Sequence, residues 1–303
     1  MTRLLLTGGG GFVGQHLQRH LRQAAPEVEI FTPVFDITDF HATNRLIETI
    51  KPDTLLHLAA ISAPAEAANA PDHAWAVNVQ GSLNLAQAVI SHAPACRFIF
   101  ISSAEVYGRA FLAGTPVTEE TPPEPLTPYA KTKAAAEAAL AALPELKLLR
   151  LRPANHTGPG QTPAFVVPAF ARQIARIEEG LQPPVLTTGN LDARRDFLDV
   201  QDVCAAYASA LALPSFTPGE ILNIGAGATQ RIGDLLEILL GLSKARIRVE
   251  LDPAKQRAAE IPVAEIDTTR AKARLGWAPR VTIQDSLAAI LDFWRTAEAL
   301  SQE

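Results

Sequence analysis

A run of three leucines, Leu4-Leu5-Leu6, leads directly into Thr7-Gly8-Gly9-Gly10-Gly11-Phe12-Val13-Gly14 and then into the helical pattern of Gln15 to Leu21. No other stretch restricts the fold so tightly. A strand, a glycine turn and a helix in that order leave unpaired backbone N–H groups and the positive helix end facing one point, where a pyrophosphate can sit. The glycines satisfy two spacings, Gly8-x-x-Gly11-x-x-Gly14 and Gly9-x-Gly11-x-x-Gly14, and the second is the general dinucleotide fingerprint.

The segments that follow keep alternating. Val28 to Thr32, Asp53 to Ala60, Arg97 to Ile101 and Leu146 to Leu151 read as strands, while Asp72 to Ile90 and Pro128 to Leu143 read as helices. This is the pattern of an α/β chain with a doubly wound parallel sheet. Beyond Arg152 it loosens into a helix at Val167 to Glu179, a proline-rich turn and Gly189 to Val200. The expected organisation is a dinucleotide domain over 1–154, with 196–224 returning to it. The stretches 155–195 and 225–303 would form a smaller substrate lobe.

Composition narrows the class. With 303 residues, 48% hydrophobic and 19% charged, the chain can bury a large core. A formal charge of −5 without a long basic run argues against a nucleic-acid or anionic-membrane partner. Cys96 and Cys204 have no CxxC companion, so neither a disulfide framework nor a metal site is expected. No apolar run reaches spanning length, and the expectation is a soluble cytoplasmic protein.

Tyr129 and Lys133 lie one helical turn apart in Pro128-Tyr129-Ala130-Lys131-Thr132-Lys133, ahead of an alanine-rich run that favours helix. A cation beside a phenol would lower its pKa from about 10 and make Tyr129 a usable proton donor and acceptor. Ser102-Ser103-Ala104-Glu105-Val106-Tyr107-Gly108 follows a strand, at the sheet edge where ligands of parallel sheets bind. His57 reads as structural. Asn78, flanked by valines, could bridge its helix to a strand through its amide. The end of the second strand carries Thr32 and Pro33 instead of a ribose-binding carboxylate, and no arginine stands there for a 2′-phosphate. NADP and NAD both stay open, and Asp36 would lie beside an adenine or cap the next helix.

Taken together, Thr7 to Gly14, His57-Leu58-Ala59-Ala60, Asn78, Ser102-Ser103 with Val106-Tyr107-Gly108, Tyr129-x-x-x-Lys133 and Arg152-Pro153 resemble the extended short-chain dehydrogenase/reductase family. The branch is that of the nucleotide-sugar epimerases, dehydratases and reductases. Arg152 to Gln161, Phe165-Val166, Ala171 to Ala175 and Gly189 to Ala193 are similar to GDP-mannose 4,6-dehydratases and their companion 4-keto-6-deoxy-mannose reductases. The short length and Arg195 to Val200 are closer to the reductases.

The resemblance implies hydride transfer from NADPH or NADH to the C4 ketone of GDP-4-keto-6-deoxy-D-mannose, giving GDP-D-rhamnose. It assigns catalysis to Ser103, Glu105, Tyr129 and Lys133. Cofactor contacts fall to Gly8, Gly11, Phe12, Val13, Gly14, Asp36, Ile37, Leu58, Ala59, Ala60, Asn78, Tyr129 and Lys133. Sugar-nucleotide contacts fall to Ser103, Asn155, Val166, Arg172, Arg195, Arg257 and Glu260. A homodimer through the helices at Asp72 to Ile90 and Pro128 to Leu143 is also implied. Glu105 stands where dehydratases carry a glutamate, which keeps a 4,6-dehydratase or 4-epimerase as the alternative. A non-catalytic dinucleotide-sensing module is a further alternative, against which the intact Ser103, Tyr129 and Lys133 argue.

Overall fold

Leu4, Leu5 and Leu6 are all buried, as a strand covered on both faces requires. A computed structural model describes residues 2–255 and 261–300. The first half runs β1 (Thr2–Thr7), α1 (Phe12–Ala24), β2 (Val28–Phe31), α2 (Phe40–Ile50), β3 (Thr54–His57), α3 (Pro64–Asn69) and α4 (Pro71–Trp75). A π-turn over Ala76–Gly81 then leads into α5 (Ser82–His92), β4 (Arg97–Ile101), a 3-10 segment over Ala104–Ala113, α6 (Pro128–Ala141) and β5 (Lys147–Pro153). The second half runs β6 (Asn155–Thr157), α7 (Val166–Glu178), β7 (Val185–Thr188), β8 (Arg194–Asp199), α8 (Val200–Ala212), β9 (Glu220–Ile224) and β10 (Thr229–Arg231). It closes with α9 (Ile232–Gly241), β11 (Arg248–Leu251), β12 (Val263–Ala264), α10 (Thr269–Leu275) and α11 (Ile283–Leu300).

Six strands form one sheet in the order β2-β1-β3-β4-β5-β9, every pair parallel. Chain direction across the sheet reverses between β1 and β3, so a crevice opens outside their carboxyl ends. Helices cover both faces. Leu17 and Leu21 of α1 pack with Val203 and Tyr207 of α8 on one side. Ile47 of α2, Leu85 and Val89 of α5 and Leu140 of α6 pack on the other. This is the doubly wound sheet read from the sequence.

The smaller lobe has its own core, in which Phe170 and Ile174 of α7 meet Leu235 and Leu239 of α9 and Leu287 and Ile290 of α11. Its strands form two small sheets, β10-β8-β12 with β6 beside β8, and β11-β7. The chain crosses between lobes differently from the expected boundaries. β8 stays in the lobe's sheet and the return to the main layer starts with α8, which packs on α1. Ala271, Leu275 and Trp277, near the end of the chain, lie in the main sheet's core.

The expected single helix over Asp72 to Ile90 is interrupted by the π-turn holding Asn78. Such insertions recur where a helix must present a side chain out of register. Among the described residues no helix is long and apolar enough to cross a membrane. Cys96 and Cys204 are free and buried.

Candidate active site

The crevice holds a cavity of about 440 Å³ walled by both lobes. Gly8, Gly11, Phe12, Val13 and Gly14 line it from the first turn, and Leu58, Ala59 and Ala60 from the end of β3. Two of the glycines are sterically obligatory. Gly8 has φ +73°, and a Cβ there would stand 2.7 Å from the Ala59 nitrogen. A Cβ at Gly14 would overlap the Gly8 carbonyl and lie 2.7 Å from Gly9 Cα. With no side chain between them, turn and helix close tightly, and Gly11 caps α1 without a side-chain hydrogen bond. The first amides of the helix are therefore available to an anion.

β4 delivers Ser102 and Ser103 to the same cavity. Ser103 caps the 3-10 segment, its Oγ accepting from the Glu105 nitrogen at 3.1 Å. This fixes Glu105 at the cavity wall, where Thr127 Oγ1 donates to its carboxylate at 3.4 Å. Thr127 also caps α6, accepting from the Ala130 nitrogen, and Pro128 takes the first helical position. Tyr129 and Lys133 follow on the buried face, 9% and 3% exposed.

The electrostatics differ from the sequence expectation. Burial, and then the Glu105 charge, hold the Tyr129 phenol above its ordinary pKa, a rise that the neighbouring Ser103 hydroxyl only eases. Lys133 does not acidify it. Burial pushes the lysine down to about 7, with Glu137 opposing the fall, and its Nζ rests 4.5 Å from the centre of the Phe100 ring. Tyr129 is thus a neutral hydroxyl at physiological pH and carries the proton that a carbonyl reduction consumes.

Behind this wall runs a chain of buried hydrogen bonds. Thr7 Oγ1 lies 2.7 Å from His57 Nδ1, and His57 Nε2 lies 2.9 Å from Ser82 Oγ. Because Ser82 donates onward to the Asn78 carbonyl at 2.7 Å, it accepts from Nε2–H and leaves Nδ1 to accept from Thr7. Burial lowers His57 to about 3, so the ring is neutral and structural.

Asn78 does not line the cavity. Its amide accepts from the Ile61 nitrogen at 2.8 Å and donates to the Ile61 carbonyl at 3.1 Å and to Thr132 Oγ1 at 2.9 Å. Both amide hydrogens and one acceptor site of the oxygen are used in tying the loop after β3 to α6.

Asp36 and Ile37 also stand off the cavity wall. Asp36 closes a turn with the nitrogen and hydroxyl of Thr38, and α2 is capped by Asp39 instead. Ile37 is buried against Gly81, whose added Cβ would come within 2.6 Å of it.

On the lobe side, Asn155, Val166 and Arg195 line the cavity. Arg172 does not. Its Nε is paired with Glu298 at 2.6 Å and its guanidinium stacks 5.5 Å from the Trp294 ring, so it fastens α7 to α11. Arg257 and Glu260 lie outside the described residues.

Further wall residues carried no separate sequence signal. His156 stacks on Phe12 with rings 6.5 Å apart and 4° from parallel. Asp196, raised to about 6 by burial, accepts from the Ala226 and Gly227 nitrogens. Tyr207 arrives from α8, a helix whose facing could not be read without the packing on α1.

Ser102 Oγ, Thr157 Oγ1, Gln161 Oε1 and Tyr207 Oη are buried without a hydrogen-bond partner, and all four residues line the cavity. Unmet polar atoms beside a glycine cradle fit a ligand with polar edges and a phosphate group. A nicotinamide dinucleotide meets both requirements. Among the described residues no cluster could hold a metal ion.

Comparison with known proteins agrees with this geometry. The chain is 38% identical over 300 residues to the GDP-6-deoxy-D-mannose reductase of Pseudomonas aeruginosa, covering 97% of each chain. The structure of RMD from Pseudomonas aeruginosa complexed with NADPH superposes with a TM-score of 0.89 at 36% identity, over 98% of this chain and 100% of that one. The UDP-glucose 4-epimerase of Thermus thermophilus in complex with NAD gives 0.84 at 29% identity, over 98% and 100%. The family model described as GDP-mannose 4,6 dehydratase matches residues 27–290. The chain therefore belongs to the GDP-mannose 4,6-dehydratase family, within the short-chain dehydrogenase/reductase epimerases and dehydratases.

Proposed function

We propose that this protein is an NADP- or NAD-dependent reductase of the C4 ketone of GDP-4-keto-6-deoxy-D-mannose, forming GDP-D-rhamnose. The observation that carries the reading is the buried Tyr129 phenol, which shares the wall of one cavity with the Ser103 hydroxyl and the glycine turn. A nicotinamide dinucleotide seated on that turn supplies the hydride. Gly8, Gly11, Phe12, Val13, Gly14, Leu58, Ala59 and Ala60 hold it, and Lys133 binds its ribose. The Ser103 hydroxyl donates to the ketone oxygen and orients it. Tyr129, protonated at neutral pH, gives its proton to that oxygen as negative charge develops. Asn155 and Arg195 face the sugar diphosphate, a guanidinium fork suiting phosphate oxygens.

Glu105 favours a second reading. A carboxylate at the cavity wall beside Tyr129 is what removal of water across C5 and C6 would need. The protein would act in the cytoplasm as a homodimer. Support for the dimer comes from Ala135 and Ala139 on α6, small residues only partly buried that permit close helix approach.

Incubation with NADPH and the 4-keto sugar nucleotide, followed by mass spectrometry, tests the reading. Stoichiometric cofactor oxidation with a mass gain of two hydrogens is expected, and Tyr129→Phe should lower turnover by about 10²–10⁴-fold while retaining nucleotide-sugar binding. Conversion of GDP-mannose to a 4-keto product without net cofactor consumption would replace the reductase with a dehydratase.

A further inference from the structure

Tyr129, Lys133 and Glu137 occupy successive turns of α6, and all three are buried. The reduction just described leaves Glu137 without a task. Its carboxylate is gripped from β5 by a guanidinium fork, with Arg152 Nε 2.9 Å from Oε1 and NH2 2.6 Å from Oε2. Both side chains are almost wholly buried. Arg150 NH1 adds a longer contact at 3.8 Å. Arg152 lies over the Tyr107 ring at 4.8 Å, and the Tyr107 hydroxyl donates to Asn223 Oδ1 at 2.7 Å. The carboxylate is thus fixed from β5, with the 3-10 segment and β9 behind the guanidinium. A buried ion pair is a costly way to hold a helix on a sheet, since two apolar residues of similar size often do so equally well. Its place one turn beyond Lys133 gives this pair a use that apolar residues would lack.

We propose that Glu137, locked by Arg152, is a positioning residue that keeps the Lys133 ammonium charged and seated behind Tyr129. Among the described residues Lys133 forms no ion pair of its own, and Glu137 is the group that opposes its neutralisation by burial. The other groups around it do not replace that carboxylate. His57 on β3 is neutral. Glu105 acts on the Tyr129 phenol. Tyr107 in the 3-10 segment is held protonated by burial. Glu66 of α3, and Asp72 and His73 of α4, are exposed on the outer surface. Arg150 and Arg152 are engaged by Glu137 itself.

This inference rests on the proposed roles of Tyr129 and Lys133, so its test includes a readout that needs no substrate. Protein labelled with ¹³C at lysine Cε would be titrated by NMR, with the Lys133 signal assigned by its loss in Lys133→Met. Glu137→Gln is expected to lower the Lys133 midpoint by about one pH unit, and to move the alkaline limb of kcat/KM by the same amount. Glu137→Asp should return both towards the parent.

Glu137→Gln leaves Arg152 unpaired and could fail to fold. The double variant Glu137→Gln/Arg152→Gln removes that stranded charge and, because the repulsion from Arg152 is lost with it, should show a smaller fall in the midpoint. An unchanged midpoint in either folded variant overturns the proposal and leaves the pair a purely structural clamp. A parent protein inactive on the 4-keto sugar, with the midpoint still displaced, would remove the reductase reading and leave this one standing.

Discussion

The two walls of the cavity are built by different means. On the sheet side, buried polar side chains are tied to partners from other elements, as in Thr7–His57–Ser82, Asn78 with Thr132, and Glu137 with Arg152. On the lobe side, arginines that are a third or more exposed make the ties. Arg172 and Arg176 pair with Glu298, and Arg295 with Glu178. Buried pairs break at a cost of several kcal/mol, whereas exposed ones contribute about 0–1 kcal/mol. The sheet side is thus fastened by buried polar ties, and the helices of the lobe by a buried apolar core with ion pairs at its surface.

Three experiments would sharpen or break that contrast. The largest effect is expected at the glycine turn. Gly14→Ala forces a Cβ against the backbone of Gly8 and Gly9, so stability should fall by about 1–3 kcal/mol. Because the displaced turn also presents the amides, NADPH affinity should drop about tenfold for each 1.4 kcal/mol lost there. Gly10→Ala, which meets nothing within 4 Å, is the control. Equal losses in both, measured by thermal unfolding and cofactor titration, would show that the turn's tight closure is not what matters.

His57 provides the next effect. Its pKa is 6.5 when unfolded and about 3 when folded, so between those values the unfolded chain binds a proton that the native chain does not. The stability contributed by the neutral ring is complete above pH 6.5 and is lost as pH falls towards 3, by about 1.4 kcal/mol per pH unit. Urea unfolding of the parent and His57→Gln between pH 6.5 and 5 would reveal it. Parallel stability profiles would mean that His57 is not the titrating group. The smallest effect belongs to the lobe. Arg172→Ala leaves Glu298 paired with Arg176 and should cost no more than about 1 kcal/mol, with sugar-nucleotide affinity near parental. A large loss of that affinity by calorimetry would return Arg172 to the binding site.

The same contrast explains what could be read in advance. Gly8, Gly14, Ser103, Tyr129 and Lys133 sit just beyond parallel strands or on the first turns of a helix, where local sequence and sheet topology together aim them at one edge. Arg172 looks identical in sequence whether it meets a phosphate or Glu298, and only the packing of α11 on α7 separates the two. Asn78 was legible as a bridging amide, but the π-turn that carries it and the partners Ile61 and Thr132 were not. Asp36 stands in the expected stretch, and its Oδ1 closes a turn with Thr38 that the sequence did not specify.

The sequence alone determined the strand–glycine–helix start, the alternation that makes a doubly wound sheet, and the turn-long spacing of Tyr129 and Lys133. These are local matters of steric freedom and periodicity, which neighbouring residues settle. Tertiary structure decided the charge state of the pair. The i, i+4 spacing alone suggests an acidified phenol, but burial and Glu105 raise Tyr129 while burial lowers Lys133. Desolvation depends on everything packed around a group, and the charge acting on Tyr129 comes from Glu105 in another segment, so no spacing rule within one helix contains either.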